Sequence, residues 1–116
     1  MTVLYVTDDI FLSHDTGPGH PESVDRLRSV HGALDGEDFA GLTRRNAIDA
    51  TDAQMAAPHS DDLVQAILEA APEDGYRHID PDTVMSPHTD EAIRKGAGAL
   101  VSAVDAVALG EVASAF

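Results

Sequence analysis

The sequence has 116 residues, which suits one small domain, and its hydrophobic fraction of 43% excludes a disordered tail. The chain carries 21 acidic residues against 7 basic ones, and the formal charge of -14 argues against nucleic acid or an anionic membrane as a direct partner. It contains no cysteine and no apolar run near the roughly 18 residues of a spanning helix, so we expect a soluble cytoplasmic protein without disulfides or thiolate metal sites.

The first part of the chain predicts a strand, a loop, a helix and a second strand. Residues 2–7 are mostly β-branched or apolar, which is typical of a buried parallel strand. Residues 13–21 are dense in glycine and proline and indicate a loop, and Pro21 then suits the first turn of a helix that Gly36 can end. Residues 42–48 are a weaker strand candidate. The apolar face of the helix would comprise Val24, Leu27, Val30 or His31, and Leu34.

Two shorter helices are predicted next. Thr51 and Gln54 have the form of a capping box, which opens a helix that Pro58 closes. Ser60 can cap the other helix, because a serine hydroxyl accepts a hydrogen bond from an amide of the first turn. Residues 72–87 then predict a long loop. The buried stripe of the helix after Ser60 would comprise Leu63, Val64, Ile67, Leu68 and Ala71.

The last part of the chain predicts one long helix and the beginning of a strand. Thr89 is a third candidate cap and Gly110 can end the helix, whose length would be about 30 Å at a rise of 1.5 Å per residue. Gly96 and Gly98 each lower helix propensity by about 1 kcal/mol, which favours close approach of a neighbouring element there. Residues 113–116 would start the strand. The buried stripe of this helix would comprise Ile93, Ala97, Leu100, Val104 and Val107.

The predicted order of elements is strand, helix, strand, helices and strand, which indicates an α/β fold. Parallel strands are normally covered on both faces, and a sheet of two or three of them would have bare edges and uncovered faces. We therefore expect residues 1–116 to form a single but incomplete domain.

The loop before the first predicted helix is the most specific feature of the sequence. It combines imidazoles and carboxylates with a backbone that is rich in glycine and proline, and it follows a strand, where loops of α/β sheets face the ligand crevice. His14, Asp15 and His20 have side chains that metal ions accept. A loop of this composition is more typical of one that lines a site, however, and we predict no metal bound by this chain. The motif comprises His14, Asp15, Gly17, Gly19, His20, Pro21 and Glu22.

Four motifs in this order resemble the N-terminal portion of the histone deacetylase and acetylpolyamine amidohydrolase family, in its bacterial class II-like form. The resemblance implies a three-layer parallel sheet of the arginase/deacetylase type, of which this chain would be the N-terminal part only. The motifs are residues 14–22 with Arg26-Leu27, Pro58-His59-Ser60, Asp80-Pro81-Asp82-Thr83 with Ser86, and the glycine- and alanine-rich residues 92–110 followed by Phe116.

The resemblance implies roles for individual residues. His20 and Pro21 would form one wall of the mouth of the substrate tunnel, and Asp82 and Thr83 would meet the substrate backbone at its rim. Arg26 would lie in the internal channel associated with acetate release. Without the resemblance, Arg26 would be interpreted as one partner of a surface ion pair, and the carboxylate at residue 82, like that at residue 80, would merely set a turn.

The catalytic groups of the family lie beyond the motifs present here. Paired histidines for acid–base catalysis follow the strand that would begin near Phe116, and the zinc ligands and a tyrosine come later still. We therefore expect a fragment that binds no zinc and is inactive by itself, although zinc belongs to the complete enzyme. The substrate would be an acetylated lysine-like or polyamine amine. The expected partner is the missing catalytic portion or a second copy of the chain.

Two other functions stay open. The strand followed by Asp8-Asp9 is similar to the start of a receiver-type signalling domain, but Asp49 and Asp52 lie in a polar stretch and Lys95 is followed by glycine rather than proline. The second of these functions is that of a non-catalytic acidic interaction protein derived from a deacetylase. Its acidic surface would attract cations, polyamines or a basic peptide, unless that surface is simply solvated.

Overall fold

The computed structural model describes residues 2–116. Within this range the chain forms a parallel sheet, a separate hairpin and four α-helices, with short 3-10 helices at Asp9–Ser13 and Glu37–Phe39. None of these helices combines the length and the apolar character that a bilayer crossing requires. The elements in chain order are β1 (Val3–Thr7), α1 (Val24–Leu34), β2 (Thr43–Asn46), α2 (Asp52–Ala56), α3 (Asp61–Leu68), β3 (Arg77–Asp80), β4 (Thr83–Met85), α4 (Thr89–Ala108) and β5 (Ser114–Ala115).

The sheet has the order β2-β1-β5, and both pairings are parallel. Side chains of β1 alternate between its two faces, as the period of a strand requires. Leu4 and Val6 point to one face and join Ala103 and Ala106 of α4 in the main core. On the other face Thr7 hydrogen-bonds His31 of α1. The sheet therefore lies between helices, and the predicted α/β fold with a parallel sheet is confirmed.

The starts of three helices are fixed by hydroxyl caps. Thr51 and Gln54 form both bonds of the predicted capping box, and Ser60 accepts a bond from the amide of Leu63 at 3.2 Å. The prediction that Pro21 lies in the first turn of α1 is wrong. The Ser23 hydroxyl caps that helix instead, so the helix begins at Val24 and the proline lies outside it.

The predicted loop at residues 72–87 is also wrong, because β3 and β4 pair there as an antiparallel hairpin. The turn between the strands is closed by Asp80, whose Oδ1 accepts bonds from the amides of Asp82 and Thr83, both at 2.8 Å. All four residues of β3 are exposed, so the strand lacks the alternation that a sequence pattern can detect.

Helix α4 exists as predicted, but the prediction of its buried face is wrong. Leu100 and Val104 are 68% and 57% exposed, and the residues that are buried are small. The close approach predicted at Gly98 is confirmed, since a Cβ there would lie 1.8 Å from the carbonyl oxygen of Ile48. Thr89 is the first helical residue rather than the cap, which is His88 at φ 70°. The buried residues of α4 are Thr89, Gly98, Ser102, Ala103 and Ala106.

The predicted stripe of α3 is only partly buried. Val64 is buried in a small cluster with Met55 and Ala50, and Leu68 packs against that cluster. Leu63, by contrast, is 48% exposed, and Ala71 lies beyond the end of the helix. This helix, like α4, therefore presents apolar side chains to solvent.

Candidate functional site

The candidate site lies where residues 14–22, which we call the HP loop, meet the β3–β4 hairpin and the start of α4. The HP loop leaves the sheet after the carboxyl end of β1 and the short 3-10 helix. A cavity of about 260 Å³ opens at this junction. Its polar lining comes from His14, Thr16, His20, Glu22, Asp82, Thr83 and Thr89.

Two buried hydroxyl groups fasten the HP loop to α4. Ser86 and Thr89 are each 3% exposed, and the Thr89 hydroxyl accepts a bond from the amide of Ser86 at 2.9 Å. The Ser86 hydroxyl accepts a bond from the amide of Asp15 at 2.9 Å, and the Thr89 hydroxyl bonds Nδ1 of His14 at 2.9 Å. The first residues of the loop are thus held in one place. A serine three residues before a threonine at a helix start could have predicted the bond between Ser86 and Thr89, but not their bonds to the loop.

The Asp15 carboxylate organises the next turn of the loop. Its Oδ1 accepts a bond from the amide of Gly17, and its Oδ2 accepts one from the hydroxyl of Tyr76, both at 2.9 Å. The bond from the Gly17 amide, followed by that from Tyr76, lowers the pKa of Asp15, while the carboxylate in turn raises the pKa of Tyr76. Gly17 has φ 91°, a conformation that favours glycine. Tyr76 was not singled out from the sequence.

His20 joins the HP loop to the hairpin. Its Nε2 donates to the carbonyl oxygen of Asp82 at 2.8 Å, and its Nδ1 accepts a bond from the amide of Glu22 at 3.0 Å. The two segments that were predicted to form the rim are therefore in direct contact, although 62 residues separate them in sequence. Pro21 lies exposed beside this contact.

The turn of the hairpin presents Asp82 outward while Asp80 holds the turn together. In addition to the two amides, Asp80 accepts a bond from the Thr83 hydroxyl at 3.0 Å, and these bonds, led by that from the amide of Asp82, lower its pKa. The carboxylate of Asp82 accepts no hydrogen bond from any group within residues 2–116. The interpretation of this segment as a turn set by side chains thus fits residue 80, and it leaves the carboxylate of residue 82 free.

Arg26 lies on the exposed side of α1. It pairs with Glu22 at 3.1 Å, and both side chains are more than half exposed, so the pair contributes little to stability. Arg26 also borders a second cavity of about 350 Å³, which shares His14, Glu22 and Thr89 with the first. Its role in an internal channel stays a prediction.

The three residues with metal-ligand chemistry do not converge on one point. Both carboxylate oxygens of Asp15 and both ring nitrogens of His20 are already hydrogen-bonded. Across residues 2–116 no three histidine, aspartate or glutamate side chains are grouped so that they could hold a metal ion. The described residues therefore do not fit a zinc site.

Lys95 and two aspartates meet at the carboxyl ends of β1 and β2. The ammonium lies 3.4 Å from Asp49 and 3.8 Å from Asp8, and it donates to the carbonyl oxygen of Ala47 at 3.4 Å. The receiver alternative depended on these residue types, but here Asp49 follows the edge strand of the sheet. The cluster holds α4 against the strand ends, a contact that was not predicted from the sequence.

The chain is similar to known proteins in sequence and in fold. A sequence model of the histone deacetylase domain matches residues 20–116. Among solved structures, the crystal structure of the HDA15 HD domain matches with a TM-score of 0.90 and 22% identity. This match covers 99% of the present chain and 34% of that chain, so the present chain spans about a third of its length. A comparison with curated proteins found no match. The structural likeness confirms the predicted deacetylase-type fold.

Proposed function

Because this chain belongs to the histone deacetylase family, we propose that it supplies the substrate-side rim of a zinc-dependent deacetylase acting on acetylated lysine-like or polyamine amines. The observation that carries the proposal is the contact between His20 and the carbonyl of Asp82 at the edge of the 260 Å³ cavity. It brings the two segments with rim residues to one opening. A cavity lined by apolar and a few convergent polar groups is the usual form of a small-molecule site.

The rim offers hydrogen-bond acceptors to a substrate. The Asp82 carboxylate has both oxygens available, and a charged acceptor forms the stronger kind of hydrogen bond with a backbone amide. The Thr83 hydroxyl donates its hydrogen to Asp80, so its oxygen is left to accept from a substrate. This arrangement suits an extended backbone or a polyamine chain, both of which present N–H donors.

The charge of the chain favours cationic substrates. Glu22 and Asp82 line the opening, and the net charge of -14 adds attraction at longer range. A polyamine, or a peptide rich in lysine, keeps positive amines after one of them is acetylated. The acidic surface would therefore raise the concentration of such substrates near the rim, and high salt would weaken this effect. Two further acidic residues lie in the same two segments, Asp15 in the HP loop and Asp80 at the end of β3.

The chemistry of deacetylation would come from outside these residues. Since the described side chains do not fit a zinc site, the zinc of the complete enzyme would be held by residues that this chain does not contain. We expect the chain alone to bind no stoichiometric zinc and to release no acetate from acetyl-lysine peptides or acetylpolyamines. Chelator-sensitive turnover by the purified 116-residue chain would contradict this proposal.

Two neighbouring aspartates provide a matched test of the rim. In the complete enzyme, Asp82→Ala removes an acceptor whose bond to substrate contributes about 1.5–3 kcal/mol, which is about a tenfold to hundredfold loss of kcat/KM. Its melting temperature should change little, because this carboxylate accepts no hydrogen bond from a described group. Asp80→Ala removes three hydrogen bonds within the turn, so its main effect should be a lower melting temperature. An Asp82→Ala enzyme with unchanged kcat/KM and lowered stability would exclude the rim role.

The exposed face of α4 supports a second proposal, which concerns the partner. Leu100 lines two apolar cavities of about 540 and 530 Å³, and Val104 lines the first of these, which also reaches Phe116 beside β5. Contiguous apolar surface that is exposed on a folded chain normally marks a contact. Within residues 2–116, β5 pairs only with β1, so its other edge is open to a further strand. Parallel sheets are covered on both faces, and a strand added there would need a helix over it.

We propose that the portion of the deacetylase domain outside this chain covers this face. The matched HDA15 domain chain is about three times as long as the region it shares with this chain, so such a portion exists in a protein of this fold. Without it we expect the chain to self-associate through the same face. Sedimentation of the chain alone and with the complementary portion tests this, with Val104→Asp as the disrupting variant and Asp105→Ala as the control on the same helix. A compact monomer that does not bind the complementary portion would contradict the proposal.

A further inference from the structure

His20 makes two hydrogen bonds that only one form of its ring can make together. The amide of Glu22 is a donor, so Nδ1 of the ring must be an unprotonated acceptor. The carbonyl oxygen of Asp82 is an acceptor, so Nε2 must carry a hydrogen. The ring is therefore the neutral Nε2–H tautomer, and both of its ends are held.

We infer that His20 is a positioning residue for the rim, which holds the backbone of Asp82 through Nε2 while the Glu22 amide fixes the tautomer. The Asp82 carbonyl belongs to the residue whose carboxylate points outward, so this bond sets the direction in which that carboxylate is presented. The inference deepens the proposed rim and rests on it for the effect on substrates. The hydrogen-bonded link itself depends only on contacts within this chain.

The surroundings show what this link adds at the exposed turn, beyond the buried residues Val84 and Met85 of β4. The turn at residues 80–83 is exposed, and its internal bonds to Asp80 fix its shape but not its place relative to the rest of the molecule. The HP loop, by contrast, is anchored to α4 by Ser86 and Thr89. The contact through His20 thus transfers the fixed position of the HP loop to the turn. A second bond, between Asp15 and Tyr76, joins the HP loop to the residue that precedes β3 and also helps to hold the hairpin in place.

Nuclear magnetic resonance of the 116-residue chain tests the link directly. At about pH 8, where imidazoles are mostly neutral, His20 should show an unprotonated Nδ1, a protonated Nε2 and a through-bond coupling between Nδ1 and the amide nitrogen of Glu22. His78 is the internal reference, because no hydrogen bond of its ring is found in the described structure. A protonated Nδ1, or ring signals of His20 identical to those of His78, would overturn the inference.

Two substitutions test the roles of the two ring nitrogens of His20 separately. His20→Asn keeps an acceptor near the place of Nδ1, and His20→Gln keeps an N–H donor near the place of Nε2. We expect the amide signals of Asp82 and Thr83 to shift strongly in His20→Asn and to return most of the way in His20→Gln. If these signals move equally in both variants, or in neither, the ring does not position the turn through Nε2.

Kinetics of the complete enzyme then test the consequence for substrates. His20→Asn should raise KM about tenfold with kcat little changed, because a misplaced rim weakens ground state and transition state alike, and His20→Gln should restore KM. If the spectra show the link while KM is unaffected by either variant, the positioning of Asp82 stands and the proposed rim function fails. If the spectra show no hydrogen bonds at the His20 ring, the positioning role fails, whatever the values of KM and kcat are.

Discussion

The two faces of α4 differ in the size of their side chains. The face toward the sheet carries Gly98, Ser102, Ala103 and Ala106, which are buried. The opposite face carries Leu100, Val104 and Val107, which are 68%, 57% and 40% exposed. The large apolar residues of a helix normally face the core, so this arrangement is the reverse of the usual one.

The contrast supports the proposal that α4 has a second neighbour on its exposed face. Small side chains let the helix approach the segment after β2, where the amide of Ala50 donates to the carbonyl of Arg94 at 3.1 Å and Arg94 donates back to the carbonyl of Ala50. Large side chains on the other face would bury far more area against a further layer. A helix that is apolar on both faces is typical of the interior of a larger domain.

Gly98→Ala should have the largest effect. The new Cβ would lie 1.8 Å from the carbonyl oxygen of Ile48 and 2.7 Å from the amide nitrogen of Ala50. Both contacts are with backbone, which has no rotamer to change, so the helix or the segment after β2 must move. We expect a loss of more than about 3 kcal/mol in the free energy of unfolding, measured by urea denaturation.

Gly96→Ala is the matched control for this prediction. Only a ring carbon of Phe11 lies near its Cβ position, at the ordinary contact distance of 3.9 Å. Alanine is favoured over glycine in a helix, so this variant should gain up to about 1 kcal/mol. Equal losses in the two variants would show that helix geometry in general, rather than close approach at one position, limits α4.

Ala106→Leu tests the same face by overpacking. Ala106 is 1% exposed and lies in the core cluster with Leu4 and Val6, so three added carbon atoms have no space. We expect a loss of up to about 3 kcal/mol. On the other face, Leu100→Ala should change the stability of the chain by less than about 0.5 kcal/mol at concentrations too low for self-association, because its side chain is then mostly in water. A large loss at these concentrations would mean that this face is already covered within a single chain.

The sequence predicted the existence of α4 and of the sheet strands better than it predicted which face of α4 is buried. Helix caps and helix breakers are local signals. The sequence could therefore predict the cap at Ser60, the capping box at Thr51 and the end of α4 near Gly110. The buried face was not readable, because a helix with apolar residues all round has no single stripe, and the largest residues mark the face that this chain leaves bare. The exposed hairpin was missed for a related reason, since β3 buries no side chain.

The candidate site was predictable in composition but not in connection. The sequence motifs indicated the HP loop and residues 80–83, yet nothing local predicts that His20 bonds a backbone carbonyl 62 residues away. Such contacts depend on how the hairpin folds back, which is a property of the whole chain. The anchoring pair of Ser86 and Thr89 and the hydroxyl of Tyr76 were missed because each acts on a segment distant in sequence.

Ser86→Ala should have a smaller effect than the changes in the buried face of α4. The hydroxyl of Ser86 accepts a bond from the amide of Asp15 and donates to the carbonyl of Ser13 at 3.3 Å. Its removal should cost about 1 kcal/mol, the usual net value of such bonds, and hydrogen exchange at the amide of Asp15 should become faster. The exchange of amides around Gly98 should stay the same. Faster exchange in both places would mean that the polar start of α4 and its packed face open together.

Tyr76→Phe should have the smallest effect, and its pH dependence follows from the two ionisable partners. Asp15 has a lowered pKa in the folded chain, so its bonds stabilise the fold above the ordinary carboxyl range and this contribution is lost as the pH falls through the lowered value. Tyr76 has a raised pKa, so its contribution is complete below about pH 10, the ordinary value for tyrosine, and is lost as the pH rises further. The difference in stability between wild type and variant should therefore be present at neutral pH and disappear at both extremes.

A carboxyl titration of Asp15 by carbon-13 NMR measures the same bond more directly. The pKa should rise in Tyr76→Phe but stay below the ordinary range, because the stronger influence, the bond from the Gly17 amide, remains. A return of the pKa to the ordinary value would mean that Tyr76 holds the whole turn of the HP loop, while no change would mean that the bond between Tyr76 and Asp15 is absent in solution.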